Sequence, residues 1–457
     1  MANDHPPPVL EAPAELKARS QFLSVLRVPE FMIFTVSQAI SLFGDKLDYM
    51  ALLAMVAFLS AKFGWASARA ISFLTVVVAL PVVLFGPLAG ILVDRWDRRK
   101  VMIVSDSART ILVLSIPLVA LGSNSLVLVY LIAFAVFLFG LFFNTSRLSI
   151  IPNLVGQERL LAANSLMSLI GRVATFFGMF LGGLIVDWSG WLSIGIKPVW
   201  TAGFYIDALT YLVSVVALFI IYRRLVLPRR PPKPLSTTEG ARSFMQSVVG
   251  QLRLLYSELR EASHLVAREP SVLFVYCSVL LLVVIGASIF VLYIPIIQTD
   301  KTIAGLGLGT KGVGYVAAIG SIGLVLSSMS YGFLGHRIKK HRVTLASFLV
   351  LGLVAGALAL SKSFALVAPL AFIAGLALSP VFIGMDTMIH EAAPEQARGR
   401  VFATRDWLLH LFFALGALLI GQLTNFFQVR HLLLAVGALV VASSIAGFLL
   451  CRGKRIG

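Results

Sequence analysis

The sequence has little charge for its length and few residues that could form a disulfide or a metal site. Only 13% of its 457 residues are charged, against about 25% in soluble proteins. Mean hydropathy is +0.93. The only two cysteines, Cys277 and Cys451, both lie in apolar runs, and the seven histidines are scattered. This composition excludes an ordinary soluble domain, a disulfide scaffold and a clustered histidine metal site.

The chain also lacks a nucleotide-binding loop. Such a loop needs Ser or Thr after its lysine, whereas the nearest stretch, GLGLGTKG (305–312), has Gly312 after Lys311. We therefore expect no enzyme activity and no cofactor. Energy must come from an ion gradient, for which we expect protons, or from a substrate.

What the chain does contain is a series of apolar runs of 18 residues or more, the length that crosses about 30 Å of hydrocarbon. They predict an all-α polytopic membrane protein with twelve transmembrane helices. The predicted spans are 31–60, 69–93, 101–121, 126–147, 161–187, 200–222, 271–298, 312–335, 343–360, 364–390, 400–425 and 431–451.

The basic residues orient these spans. With the N-terminus inside, 28 of the 38 Lys and Arg fall on the cytoplasmic side and 7 on the outer side, while Lys46, Arg109 and Arg172 lie within spans. This asymmetry predicts a cell (inner) membrane protein with both termini in the cytoplasm. It also explains the net charge of +17 without a nucleic-acid partner.

The spans divide six and six, and the halves echo each other. GILVDRWDRRKVMI (90–103) aligns with GFLGHRIKKHRVTL (332–345), and LVGQERLLAANS (154–165) with APEQARGRVFAT (393–404). Two pseudo-symmetric six-helix bundles are typical of two-domain transporters. The predicted domains are a tail (1–30), the first bundle (31–222), a linker (223–270), the second bundle (271–451) and a tail (452–457). An amphipathic helix in the linker lies either on the inner leaflet or against the bundles.

Four stretches carry a resemblance to a known family. GPLAGILVDRWDRRK (86–100) resembles the signature of the major facilitator superfamily between its second and third spans. SLFGDKLDYMAL (41–52), IIPNLVGQERLLAANSL (150–166) and QARGRVFA (396–403) are similar to its bacterial drug:proton antiporter-like branch, which also includes lysophospholipid transporters. The resemblance implies alternating access, and we expect a monomer in the bilayer.

The resemblance also implies a conformational latch at the inner end of span two. In the resembled fold the acid of this motif, here Asp94, caps the inner end of span eleven, and Arg147 is a second candidate partner. Two glycines would let the spans approach closely. The predicted latch residues are Gly86, Gly90, Asp94, Arg95, Arg98, Arg99 and Arg147.

Span one carries acids where acids are costly. Gln38, Ser41, Asp45 and Asp48 fall within an arc of about 80° on a helix. A carboxylate in mid-membrane costs about 2.5–3.5 kcal/mol and normally faces a cavity or a partner. Asp45 and Asp48 are therefore predicted proton-coupling residues, with a structural salt bridge as the alternative.

Span five carries a second polar stripe of Asn164, Ser168, Arg172 and Thr175. A buried arginine needs a counter-charge, and we expect Asp45 or Asp48 to supply it for Arg172. Either proton binding weakens this pair, or the pair is permanent. Alternatively, Arg172 meets an anionic group of the substrate.

The remaining candidates lie mostly in the second half. Asp386 is a secondary coupling candidate. The predicted inner gate contains His390, Arg400, Arg405, Asp406 and His410, and the substrate cavity contains Gln38, Ser41, Asn164, Ser168, Thr175, Phe142, Tyr293 and Phe382. Asp207 is expected to be structural, because in the resembled fold the sixth span lies outside the cavity.

Together these patterns predict a secondary active transporter that exports an amphipathic or hydrophobic small molecule, with proton exchange as the expected coupling. One alternative is a transporter that moves lysophospholipid between leaflets, in which Arg172 meets a phosphate. An alternative of another class is a membrane scaffold or sensor that transports nothing.

Overall fold

The protein is described here from a computed structural model, which covers residues 24–123, 125–224, 269–299, 305–334, 339–393 and 395–451. Between these ranges it also describes Val249, Gly250, Arg253, Ser257 and Arg260. Most of the predicted linker, with its amphipathic helix, lies outside the described residues, as do most of the N-terminal tail and the C-terminal tail.

Twelve long helices make up the described part of the chain. They are α1 (Pro29–Lys62), α2 (Ser67–Arg95), α3 (Arg98–Gly122), α4 (Leu126–Val155), α5 (Leu160–Val186), α6 (Thr201–Arg224), α7 (Pro270–Gln298), α8 (Gly309–Leu334), α9 (Lys340–Leu360), α10 (Phe364–Ala392), α11 (Glu395–Leu423) and α12 (Val429–Leu450). The prediction of twelve helices in two bundles of six is confirmed.

Local sequence explains where several helices begin and end. Pro29 begins α1, at a position where a missing N–H costs nothing. Asp97 begins α3 by accepting a hydrogen bond from the backbone N–H of Arg99 at 3.0 Å. α4 ends at Gly156, whose φ of 76° favours glycine. It runs eight residues past the predicted end at 147, because its basic Arg147 lies inside the helix rather than beyond it.

Eleven of these helices are long and apolar enough to cross a membrane. The other one, α1, has 34 residues and contains Asp45, Lys46 and Asp48 near its middle. The first span thus carries three charged residues near its centre, and its acids need partners inside the protein.

The two bundles, α1–α6 and α7–α12, meet along α2 against α11 and along α5 against α8. One apolar core joins both bundles; it includes Leu52 and Phe204 of the first and Leu292 and Ala417 of the second. Two smaller cores lie within single bundles and do not join them. The bundles are therefore packed together at one end of the molecule.

Glycines make this close packing possible. A Cβ at Gly183 of α5 would lie 2.9 Å from the Thr310 carbonyl oxygen, and one at Gly314 of α8 would lie 2.8 Å from the Met179 carbonyl oxygen. At the other end of α5, Asn164 is exposed. The cleft between the bundles therefore opens toward the end that the basic residues predict to be cytoplasmic.

Candidate functional site

The site begins with a close contact between α1 and α6. A Cβ at Gly44 would overlap Thr210 Oγ1 and Asp207 Oδ1, so only glycine lets the two helices approach this closely. Thr210 and Asp207 also hydrogen bond to each other at 3.0 Å. This contact brings Asp45, the residue after Gly44, against α6 and the neighbouring α3.

Asp45 is paired with a guanidinium and a phenol. Its Oδ1 accepts hydrogen bonds from Arg109 Nη2 of α3 and from the Tyr211 hydroxyl of α6, the latter at 2.7 Å. Arg109 Nη2 also donates to the Tyr211 oxygen. Three helices therefore meet at one carboxylate oxygen.

Arg109 is held rigidly on its other sides. Its Nη1 lies 3.3 Å from Asp106 Oδ1, and its guanidinium carbon lies 4.0 Å from the centre of the Tyr211 ring, within range of a cation–π contact. Gly140 of α4 leaves room beside the guanidinium. The Arg109 side chain is 7% exposed, whereas that of Asp45 is 24% exposed, so Asp45 is the member of this pair that water reaches.

Three further carboxyl groups are buried around this pair. Asp48, Asp106 and Asp207 are each at most 2% exposed. Asp48 Oδ1 and Asp207 Oδ2 have no hydrogen-bond partner among the described residues. With Asp45 this makes four carboxyl groups around Arg109. Buried charge that is not compensated is very costly, so some of these carboxyl groups must be protonated or the cluster must bind other cations.

The predicted pairing of Arg172 with Asp45 or Asp48 is wrong in this structure. Arg172 is exposed and forms no ion pair within the described ranges. The reason is orientation: Asp45 faces α3 and α6, whereas Arg172 lies on an exposed side of α5. Asn164 and Ser168 of that stripe are also exposed, while the Thr175 hydroxyl donates back to the Gly171 carbonyl at 2.8 Å.

The sequence predicts no partner for Arg109, and it does not predict that Asp207 lies beside Asp45 and Arg109. The expectation that Asp207 is structural stays a prediction. A signal was present: Asp106 and Arg109 are three residues apart, and Asp207 and Tyr211 are four apart. Such pairs share a helix face, which predicts a polar face on α3 and on α6.

The other predicted cavity residues are divided between the cleft and the protein interior. Gln38 and Ser41 are buried in α1. Tyr293 is also buried, with its hydroxyl 3.3 Å from Ser361 Oγ, so it packs inside the second bundle rather than lining the cleft. Phe142 packs against Trp96, 6.4 Å between ring centres. Phe382 is 42% exposed.

The inner-gate candidates cluster around Arg405. Its guanidinium pairs with Asp386 of α10 and, at 2.9 Å, with Asp406. It also lies 5.0 Å from the ring centre of Phe402, and Phe402 in turn lies 4.9 Å from the His390 ring. The structure thus brings residues of α10 and residues of α11 into one cluster.

Two gate candidates complete this picture. The His410 Nδ1 atom lies 2.8 Å from the Asp406 carbonyl oxygen, one turn earlier on α11. The side chain of Arg400 lies outside the part of the chain that the structure describes.

The predicted latch stays a prediction. The side chain of Asp94 lies outside the described residues. The glycines do not mediate close approach, since a Cβ at Gly90 would meet nothing within 4 Å and one at Gly86 would meet only Val82 of the same helix. α2 and α11 are in close contact near the start of α2, where a Cβ at Gly421 would overlap Ser72.

The basic residues of this loop hold the first bundle together. Arg98 donates to the Ser149 carbonyl of α4 at 2.7 Å, and the Arg99 guanidinium lies 5.4 Å from the Tyr222 ring centre of α6. Arg95 ends α2. The Arg147 side chain is close enough to Asp45 for an electrostatic interaction, so its surroundings are not limited to the loop residues of the predicted latch.

At the closed end, a carboxylate of one bundle caps a helix of the other. Asp187 follows α5, and its Oδ2 accepts a hydrogen bond of 2.8 Å from the backbone N–H of Lys311, near the start of α8. Burial raises the pKa of Asp187, and this effect is opposed by the hydrogen bonds from the backbone N–H groups of Lys311 and Thr310. The state in which the carboxyl group is buried therefore binds a proton more tightly than an open state would.

Comparison with known sequences gives one consistent family. The sequence model of the Major Facilitator Superfamily matches residues 36–309 and 276–455. The uncharacterized MFS-type transporter YfiS of Bacillus subtilis is 26% identical over 433 residues, which is 93% of each chain. The multidrug efflux pump Tap of Mycolicibacterium fortuitum is 24% identical over 79% of this chain and 81% of its own length. The putative bacilysin exporter BacE of B. subtilis is 26% identical over 87% of this chain and 89% of its own.

Solved structures share the fold. A bacterial homolog of the human lysosomal transporter Spinster superposes with a TM-score of 0.68 at 14% identity, over 93% of this chain and 97% of that one. A peptide transporter, POT, in complex with sulfate has a TM-score of 0.65 at 14% identity, over 93% of this chain and 95% of that one.

Proposed function

Because the chain belongs to the Major Facilitator Superfamily, we propose that it is a secondary active transporter that exports an amphipathic or hydrophobic small molecule in exchange for protons. The names of two relatives, a multidrug efflux pump and a putative bacilysin exporter, support outward transport of a small molecule. Its proposed place is the cell (inner) membrane, with both termini in the cytoplasm, as the distribution of Lys and Arg indicates.

One observation carries the proton coupling: four carboxyl groups surround the buried guanidinium of Arg109 inside a membrane-spanning bundle, and the only further cation near them in the described part of the chain is Arg147. Any state with all four ionised leaves uncompensated charge in a low dielectric. Proton binding is the smallest change that removes this charge. A cluster of this kind loads and releases protons as its exposure changes.

Asp45 is the proposed entry point for the proton, because its side chain is 24% exposed while that of Arg109 is 7% exposed. Protonation of Asp45 weakens its ion pair with Arg109, and the guanidinium then relies on Asp106 and the other buried acids. Since Asp45 lies on α1 while Arg109 and Tyr211 lie on α3 and α6, the same step loosens α1 from its neighbours. A proton thereby changes the relative stability of the two access states.

The substrate is proposed to bind in the open cleft. Its wall on α5 combines exposed polar groups, Asn164 and Ser168, with the exposed cation Arg172. Exposed Phe177 and Phe382 add apolar surface. This mixture suits a molecule with an apolar body and one polar or anionic group.

Transport by purified protein in proteoliposomes tests the proposal. We expect a fluorescent hydrophobic dye to move in the presence of a pH gradient and much more slowly without one. A proton-sensitive dye in the lumen should report counterflow of protons. The Asp45→Asn variant should fold, because its amide keeps the shape of the carboxyl group, yet lose the response to the gradient.

The same vesicles separate the alternatives. Dye flux that ignores the gradient in both the wild type and Asp45→Asn would overturn proton coupling. Movement of labelled lysophospholipid without dye movement would indicate the lipid transporter instead. A protein that folds and moves neither probe would be a scaffold or sensor.

A further inference from the structure

A groove lies at the seam between the two bundles, apart from the acidic cluster. It has a volume of about 310 Å³ and is lined by Phe176, Phe180, Tyr315, Ala318, Ile319, Ile322 and Phe364. Phe176 and Phe180 belong to α5, four residues belong to α8, and Phe364 begins α10. All seven side chains are aromatic or aliphatic.

Aromatic rings from both bundles form the floor of the groove. Phe180 of α5 lies 5.9 Å from Tyr315 of α8, and Tyr315 lies 5.9 Å from Phe364, between ring centres. On α8 the lining runs from Tyr315 to Ile322, which lie seven residues apart, or about 10 Å at the rise of a helix. Ile322, at the far end, is 46% exposed, so the groove is open at that end.

Two lysines precede lining residues closely in sequence, away from the Ile322 end of the groove. Lys311 precedes Tyr315 by four residues on the same face of α8, and Lys362 precedes Phe364 by two residues. Both are exposed. The Asp187 carboxylate accepts a hydrogen bond from the backbone N–H of Lys311 and also attracts its ammonium group, so a ligand phosphate has to share Lys311 with this carboxylate. Exposed lysines beside an apolar face attract the phosphates of lipids.

We propose that this groove binds one acyl chain of an anionic phospholipid, with the lipid phosphate beside Lys311 and Lys362. The apolar walls suit the chain, and the two ammonium groups at the rim complement the phosphate. Because the walls come from both bundles, the chain is held only while α5 and α8 are in contact. A lipid bound in this way favours the closed arrangement of that seam and so adjusts the balance between the two access states.

Native mass spectrometry of the full chain, stripped of lipid in detergent, tests this site. The protein is titrated with phosphatidylglycerol or with phosphatidylcholine of the same chains. We expect the wild type to bind one phosphatidylglycerol in preference to phosphatidylcholine. Ile322→Asn, which puts an amide in the groove, should weaken binding at least about tenfold. Val325→Asn is the matched control: Val325 lies on the same helix and is 50% exposed, but it does not line the groove.

The double variant Lys311→Gln with Lys362→Gln should bind the two lipids equally. Both asparagine variants change exposed positions, so folding is preserved and can be checked by thermal melting. Equal binding by Ile322→Asn and Val325→Asn would overturn the site. Equal binding of both lipids by the wild type would also overturn it, since the lysines would then have no role. A dimer that forms without lipid and is lost in Ile322→Asn would assign the groove to a second copy of the chain.

Discussion

Removing the charge of Arg109 provides the sharpest test of the acidic cluster. In Arg109→Gln, Asp45 keeps only the Tyr211 hydroxyl, and Asp106 Oδ1 loses its ion pair. Breaking a buried ion pair by removing one partner costs about 3–5 kcal/mol. At about 2–4 °C per kcal/mol for a unit of this size, we expect the melting temperature to fall by roughly 10 °C.

A matched variant separates this effect from a general loss of positive charge. Arg172→Gln removes the same group from α5, but Arg172 is exposed and forms no ion pair within the described ranges. Such a surface change usually stays within about 0.5 kcal/mol. Thermal unfolding in detergent, followed by tryptophan fluorescence, compares the two. Equal losses of stability would refute the assignment of Arg109 as the cation of the cluster.

A double variant tests the pairing itself. If Asp45 and Arg109 interact as the geometry indicates, Asp45→Asn with Arg109→Gln should recover part of the stability lost by Arg109→Gln alone, because one unpaired carboxylate is gone. Coupling energies of residues in contact are about 0.5–3 kcal/mol. Strict additivity of the two changes would mean that the contact contributes nothing.

Three further predictions concern other contacts. At the closed end, Asp187→Ala should favour separation of α5 from α8, as measured by distances between spin labels across the seam. Asp187→Asn should not, because an amide oxygen still accepts a hydrogen bond from the Lys311 N–H. Since burial raises the pKa of Asp187, falling pH should favour the closed state until the carboxyl group is protonated in both states. Gly44→Ala should lower the stability of the protein by about 1–3 kcal/mol through overpacking, whereas Gly90→Ala should not lower it. Thermal melting measures both variants. Asp386→Asn should change stability by less than about 1 kcal/mol, because this carboxylate is 51% exposed, and should keep the response of transport to a pH gradient.

The sequence predicts the spans well because hydropathy depends only on local composition. The starts and ends of most helices lie within about three residues of the predicted spans, and the exceptions are informative. α4 continues past Arg147, because a cation that reaches the interior of the bundle need not end a span. Helix ends are always uncertain by a few residues, since capping and fraying decide them.

Which charges meet could not be predicted in the same way. Helical periodicity shows that Asp45 and Asp48 share a face of α1 and that Arg172 shares one with Ser168 on α5. It does not show how each helix is rotated toward its neighbours. That rotation is set by contacts such as Gly44 against Asp207, where the absence of a side chain decides which helix lies closest. The choice between Arg109 and Arg172 as the partner of Asp45 therefore needed the three-dimensional structure.

The packing of α1 connects the acidic cluster with the seam between the bundles. On one side α1 carries Asp45 against α3 and α6. On the other it packs against α5 so tightly that a Cβ at Gly182 would lie 3.3 Å from the Leu47 Cα, only two residues from Asp45. The next residue of α5, Gly183, faces the start of α8. Close-packed interiors transmit small displacements rather than absorbing them, so a shift of α1 relative to α3 and α6 must also move the contact between α5 and α8. The proposed coupling between the charge of Asp45 and the closure of the cleft therefore runs through one helix, α1.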